Sequence, residues 1–162
     1  MRAKRTFAAA ALVALLAAAA LTPAWGAEVT RESYVAAVEP ICRRNAEANE
    51  RIFAGVRRQV VNGHLKAAAV KFEAAAKALR ATVARLKAVP RPPADRQVLK
   101  LWFADIDVEV GLFKATAQQL RAGDRSEAER TSAKPINAAV TAKNQVAAFE
   151  FHYCRSRPSE FT

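Results

Sequence analysis

Little in this sequence could hold a metal or a cofactor. It has two histidines (His64 and His152), two cysteines (Cys42 and Cys154), and a single methionine at position 1. A di-iron bundle needs two Glu-x-x-His motifs, and neither histidine lies in one. Covalent haem needs Cys-x-x-Cys-His, but Cys154 is followed by Arg155-Ser156-Arg157. Methionine ligation has only Met1 to draw on. Neither histidine has a nucleophile and a carboxylate placed beside it by sequence, so no catalytic triad is legible. These absences predict a protein without metal or other cofactor and without enzymatic activity. Glycine is scarce at 5 residues and aromatics make up 7% of the chain, while alanine abounds. That composition favours helices over sheets. At 162 residues the chain makes one domain with room for a real core.

Long apolar runs are also missing, with one exception at the start. Arg2, Lys4 and Arg5 precede an uninterrupted apolar stretch from Thr6 to Leu21, and Thr22-Pro23-Ala24-Trp25-Gly26-Ala27 then breaks the helix. This is the pattern of a secretory signal peptide, expected over residues 1–26. Cleavage after Gly26 leaves Ala24 at −3. No lipobox cysteine follows, and no second run is long enough to span a membrane. The chain is therefore expected outside the cytoplasm, secreted or at the cell envelope. The leader carries three basic residues and no acid, so its removal takes the formal charge from +11 to +8. In a cytoplasmic protein such an excess points to nucleic acid. Here there is no helix-turn-helix signature, zinc spacing or aromatic–basic RNA motif, and no nucleic-acid partner is expected. For an exported chain the expected partners are anionic envelope polymers or lipid headgroups. The alternative is a basic surface that only solvates an Arg-rich protein.

The densest apolar stretch is Leu99 to Phe113. From Ala104 to Val110 it alternates like a half-buried strand, but the helical pattern runs from Val98 to Leu120 without a turn signal. Taken as helix, Leu99, Trp102, Ile106, Val110, Phe113, Ala117 and Leu120 share one side. Val98, Leu101, Val108 and Leu112 widen it. Asp105 and Glu109 fall inside that apolar arc, one turn apart. They belong either to a structural ion-pair arrangement or to an interior polar site.

Three further helices flank this one. The first is expected from about Thr30, a good N-cap, to Val61. Tyr34, Val38, Ile41, Ile52 and Val56 face inward with Asn45 and Asn49 among them, and Pro40 should kink the helix or restart it. The second runs from Leu65 to Val89, with Ala68, Phe72, Ala75, Leu79, Val83 and Leu86 inward. Pro90-Arg91-Pro92-Pro93 then forms a stiff connection. The last begins at Asp124-Arg125-Ser126-Glu127, a capping-box-like start, and runs to about His152, with Lys143 and Glu150 on its apolar side. Residues 155–162 read as a flexible tail.

Four long helices with short connections predict an all-α, antiparallel up-down-up-down four-helix bundle over residues 27–154. That topology brings Cys42 and Cys154 to one end. In an exported chain with only these two cysteines it predicts a Cys42–Cys154 disulfide, the alternative being two buried thiols. Counting down from that end predicts a polar column: Asn45 beside Glu150, Asp105 beside Lys143, with Asn49 between the two levels and Glu109 below. These six residues are the candidate ligand site, although such a column can also serve only to fix register.

The run Thr30-Arg31-Glu32-Ser33-Tyr34-Val35, then Ile41-Cys42-Arg43-Arg44-Asn45, and finally Phe151-His152-Tyr153-Cys154-Arg155 is similar to small secreted helical-bundle proteins of high-GC actinobacteria. The resemblance implies an exported bundle with paired cysteines. It carries over no functional residue.

Overall fold

The computed structural model describes residues 28–155, without the side chains of residues 135–139. The expected signal peptide, and the expected tail beyond Arg155, lie outside the described residues. Within them every regular element is helical, which decides the Ala104–Val110 stretch for helix.

Helix α1 spans Arg31–Phe53. Its start is a reciprocal cap: Thr30 Oγ1 accepts from the Ser33 N–H at 3.2 Å and Ser33 Oγ from the Thr30 N–H at 3.0 Å. The helix continues through Pro40 rather than restarting there. Pro40 and Ala36, whose carbonyl it leaves without a helical donor, are both exposed, so water can serve that carbonyl. The expected first helix does not reach Val61 intact. Gly55 takes φ 75°, a left-handed conformation open to a residue without a Cβ, and ends α1. Helix α2, Val56–Val61, restarts the chain after it. Lys71 Nζ donates to the Ala54 carbonyl at 2.6 Å, serving an acceptor that the helix end leaves open.

Helix α3 spans Leu65–Ala88, and a 3₁₀ turn at Pro93–Asp95 leads into α4, Arg96–Ala122, which ends at left-handed Gly123. Helix α5, Arg125–Gln145, starts behind Asp124, whose Oδ1 accepts from the Glu127 N–H at 3.0 Å. It ends short of the expected His152. A 3₁₀ turn follows at Ala147–Phe149, and Glu150 then adopts φ 52°.

Helix α1 packs on α3, α3 on α4 and α4 on α5, while α2 leans on α3. The core has two aromatic ends. At one, Phe53 meets Phe72 and Phe113 edge-on with centroids 5.1 and 5.7 Å away. At the other, Phe151 stacks on Trp102 at 5.4 Å and on Phe149 at 5.2 Å, and Phe149 meets Tyr34 edge-on. All of these rings but half-buried Phe72 are buried, and each contributes more than its area through ring–ring geometry.

The second aromatic end is tied by three further contacts. The Cys42 and Cys154 sulfurs stand 2.05 Å apart, at disulfide distance, and both residues are buried. Glu39, one turn before Cys42, accepts the N–H groups of three successive residues: His152 at 2.9 Å, Tyr153 at 2.9 Å and Cys154 at 3.3 Å. Arg31 forks onto buried Asp95 at 2.7 and 3.1 Å, and its guanidinium covers the Phe149 ring. A bond between Cys42 and Cys154 closes a loop with a separation of 112 residues. The C42S/C154S double variant should lose about 3–5 kcal/mol in urea unfolding, the range for a loop of this size. Its 152–154 amides should also exchange faster with solvent.

Candidate functional site

The site starts from α4. Leu99, Trp102, Ile106, Val110, Phe113, Ala117 and Leu120 are all buried, as the helical period requires. The arc is narrower than the sequence suggests. Leu101 and Val108 are 46% and 54% exposed, and Phe103 is buried in their place. Glu109 sits within the stripe and is buried, while Asp105, one turn earlier, is half-buried.

Helix α1 brings the matching polar groups. It meets α4 near the start of both helices, through Arg31 and Asp95, and further along both, through Phe53 and Phe113. One turn back from that ring contact lie Asn49 on α1 and Glu109 on α4. A further turn back lie Asn45 and Asp105. Each turn is a step of about 6 Å, so Asn49 and Glu109, and Asn45 and Asp105, fall at matching heights along the two helices. Helix α3 completes the walls. Thr82 Oγ1 donates to Asn45 Oδ1 at 3.0 Å, and between Thr82 and Phe72 the buried residues Ala75, Ala76 and Leu79 line the interior.

The two levels differ in how their polar atoms are served. Asn45 has its donor in Thr82. Asn49 Oδ1 and Asp105 Oδ2 are buried and meet no hydrogen-bond donor among the described residues. Burial alone pushes the Glu109 carboxyl from its usual 4.5 up to about 7. The cluster is thus rich in acceptors with one carboxyl that takes up a proton near neutrality. Chemically it suits a ligand that donates hydrogen bonds or carries a positive charge. The Tyr34 hydroxyl, also buried without a partner, is pushed up to about 12 by the same desolvation.

Of the six candidate residues, Asn49 and Glu109 are buried, and Asn45 and Asp105 are half-buried. Lys143 and Glu150 do not join them, since both are exposed. The buried stripe of α5 runs through Ala142 and Val146, and Lys143 lies about 100° away from Ala142 around the helix. Glu150 lies beyond the end of α5, where helical phase no longer applies. The expected pairs Asn45–Glu150 and Asp105–Lys143 are therefore replaced by Asn45–Thr82 and an unpaired Asp105 oxygen. Sequence reasoning missed Glu39 and Thr82. Glu39 sits three residues before Cys42 and so on the same side as the sulfur, a spacing that could have flagged it. Thr82 is a lone hydroxyl in an apolar stripe.

Among the described residues no three His, Cys, Asp or Glu side chains gather as a metal would need, and no helix is long and apolar enough to cross a membrane. No protein-family model, curated protein or solved structure matches the chain.

Glu109 makes the fold pH-sensitive in a defined direction. Its folded pKa lies above its ordinary value, so its contribution is intact below about 4.5 and is lost as pH rises through about 7. A shift of this size corresponds to about 3 kcal/mol. Glu109→Gln should match the parent near pH 4 and exceed its stability by about that amount at pH 8, as read by urea unfolding at the two pH values.

Proposed function

We propose that the chain is an exported, antiparallel up-down-up-down four-helix bundle that acts at the cell envelope by binding rather than catalysis, its basic outer faces meeting anionic surfaces. The observation that carries this reading is the unequal placement of charge. No described lysine or arginine is buried. Acidic groups are withdrawn instead: Asp95 and Glu109 are buried, and Glu73, Asp107, Glu127 and Glu129 are engaged by Arg121, Lys87, Arg130 and Arg125. Each ion pair cancels one base against one acid, so the unpaired surface charge keeps the basic excess of the formal +8. The topology is supported by Asn45–Thr82 and Phe53–Phe72, which run against each other along α1 and α3. Lys87–Asp107 and Glu73–Arg121 do the same along α3 and α4. The leader pattern and the cysteine pair support export.

Sedimentation with phosphatidylglycerol vesicles tests the reading. Binding is expected to fall steeply between roughly 0.05 and 0.5 M salt, as surface charges are screened. Binding that ignores salt, or that is equal on neutral phosphatidylcholine vesicles, would overturn it.

A second reading is favoured by the unserved acceptors Asn49 Oδ1 and Asp105 Oδ2. In it the interior cluster holds a small donor-bearing ligand, and the protein is a carrier. Native mass spectrometry of the exported protein should then show extra mass that leaves on denaturation. Asp105→Asn should abolish that mass while the fold survives. A variant that merely unfolds more easily would make the cluster structural.

A further inference from the structure

Between Glu50 and Glu73 the chain carries no acidic residue, yet it carries Arg51, Arg57, Arg58, Lys66 and Lys71. This stretch turns the corner from α1 through α2 into α3. The helix break at Gly55 leaves an open cleft there of about 390 Å³, lined by Ala54, Gly55, Arg58, Gln59, Asn62 and His64. Arg58 in the lining is a cation, and His64 beside it offers ring nitrogens. Lys71, bonded to the Ala54 carbonyl, adds a second cation at the rim. Gln59 Oε1 is buried and meets no donor among the described residues, which suits a ligand with a hydroxyl close to its anionic group. The same stretch holds two apolar side chains in water: Val61 on α2 and Val70 on α3, 60% and 58% exposed, more than any other large apolar residue described. A free anion would need only the cations. Cations sharing a stretch with outward-facing aliphatic groups match the layered chemistry of a lipid surface.

We propose that this corner is the docking site for phosphate-bearing anionic lipid. The cleft takes the headgroup, with Arg58 and His64 on the phosphate and Gln59 on a neighbouring hydroxyl, while Val61 and Val70 enter the interfacial layer. The proposal rests on the reading of the protein as a binder of anionic envelope surfaces and confines that binding to one end of the molecule.

The full exported chain, checked for unchanged unfolding, is titrated with phosphatidylglycerol–phosphatidylcholine vesicles in three forms: parent, R58Q/K66Q at the corner, and R80Q/R85Q further along α3. The corner variant should bind on the order of 25-fold more weakly, and the α3 variant should stay much closer to the parent. Equal losses in the two variants would overturn the corner while leaving the broader reading standing. A parent that does not bind would overturn both. Val61→Trp supplies a readout independent of charge: its emission should shift to the blue on these vesicles and stay unchanged with inorganic phosphate alone. If phosphate displaces the protein from vesicles and the tryptophan never shifts, the cleft takes a free anion and lipid docking is overturned.

Discussion

The structure depends on a clamp at one end of the bundle. Cys42 and Cys154 fix one point, and the Glu39 carboxylate gathers the backbone N–H groups of 152–154 around a second. Successive N–H groups converging on an anion form a strong, directional site. Here the anion belongs to α1 and the N–H groups to the segment after α5. The clamp explains why that segment is ordered without being helical. It carries Phe149 and Phe151 over Tyr34 and Trp102, contacts that a continuous α5 would aim elsewhere. Arg31 brings the proline-rich connection into the same knot, since its fork on Asp95 and its face on Phe149 join three chain segments.

From that clamped end the interior becomes polar before it becomes aromatic again. Leaving a buried acceptor unserved costs about 1–3 kcal/mol, so Asn49 and Asp105 are not neutral choices. Asn45, bonded to Thr82, ties α1 to α3 and fits a register role. Asn49 and Glu109 behave differently. A protonated Glu109 brings a hydrogen-bond donor into the interior, and an ionised Glu109 brings only acceptors. The two protonation states therefore differ in how well the middle of the bundle is satisfied, and a donor-bearing ligand would favour the ionised one.

Much of this was legible from side-chain periodicity. The α4 stripe, the helical class, the cysteine pair and the burial of Asn49 and Glu109 follow from apolar spacing and from which ends the connections bring together. The errors have local causes. The expected first helix passes through Gly55 to Val61, because one glycine in an amphipathic run costs only about 1 kcal/mol, less than tertiary packing can offset. Lys143 lies one residue from buried Ala142, and an error of a single position rotates a side chain by about 100°. Glu150 was placed by extending helical phase past the true end of α5, and helix ends are weakly marked when no glycine or proline follows closely. Glu39 and Thr82 act across long sequence separations, which no local pattern reports.

Charge placement links the interior to the surface. A protein that only needed solubility could scatter acids and bases together. This one withdraws two carboxylates into the core, engages several others with arginines or lysines, and leaves its cations outside. Exposed ion pairs contribute little to stability, about 0–1 kcal/mol each, and each cancels one cation with one carboxylate. Two stretches of the described chain, between Glu50 and Glu73 and between Glu73 and Asp95, carry five lysines or arginines each and no acid. The break at Gly55 opens a cleft in the first of them. The break keeps both Phe53 and Val56 buried and sets Arg58, Gln59 and His64 around one opening on the outside.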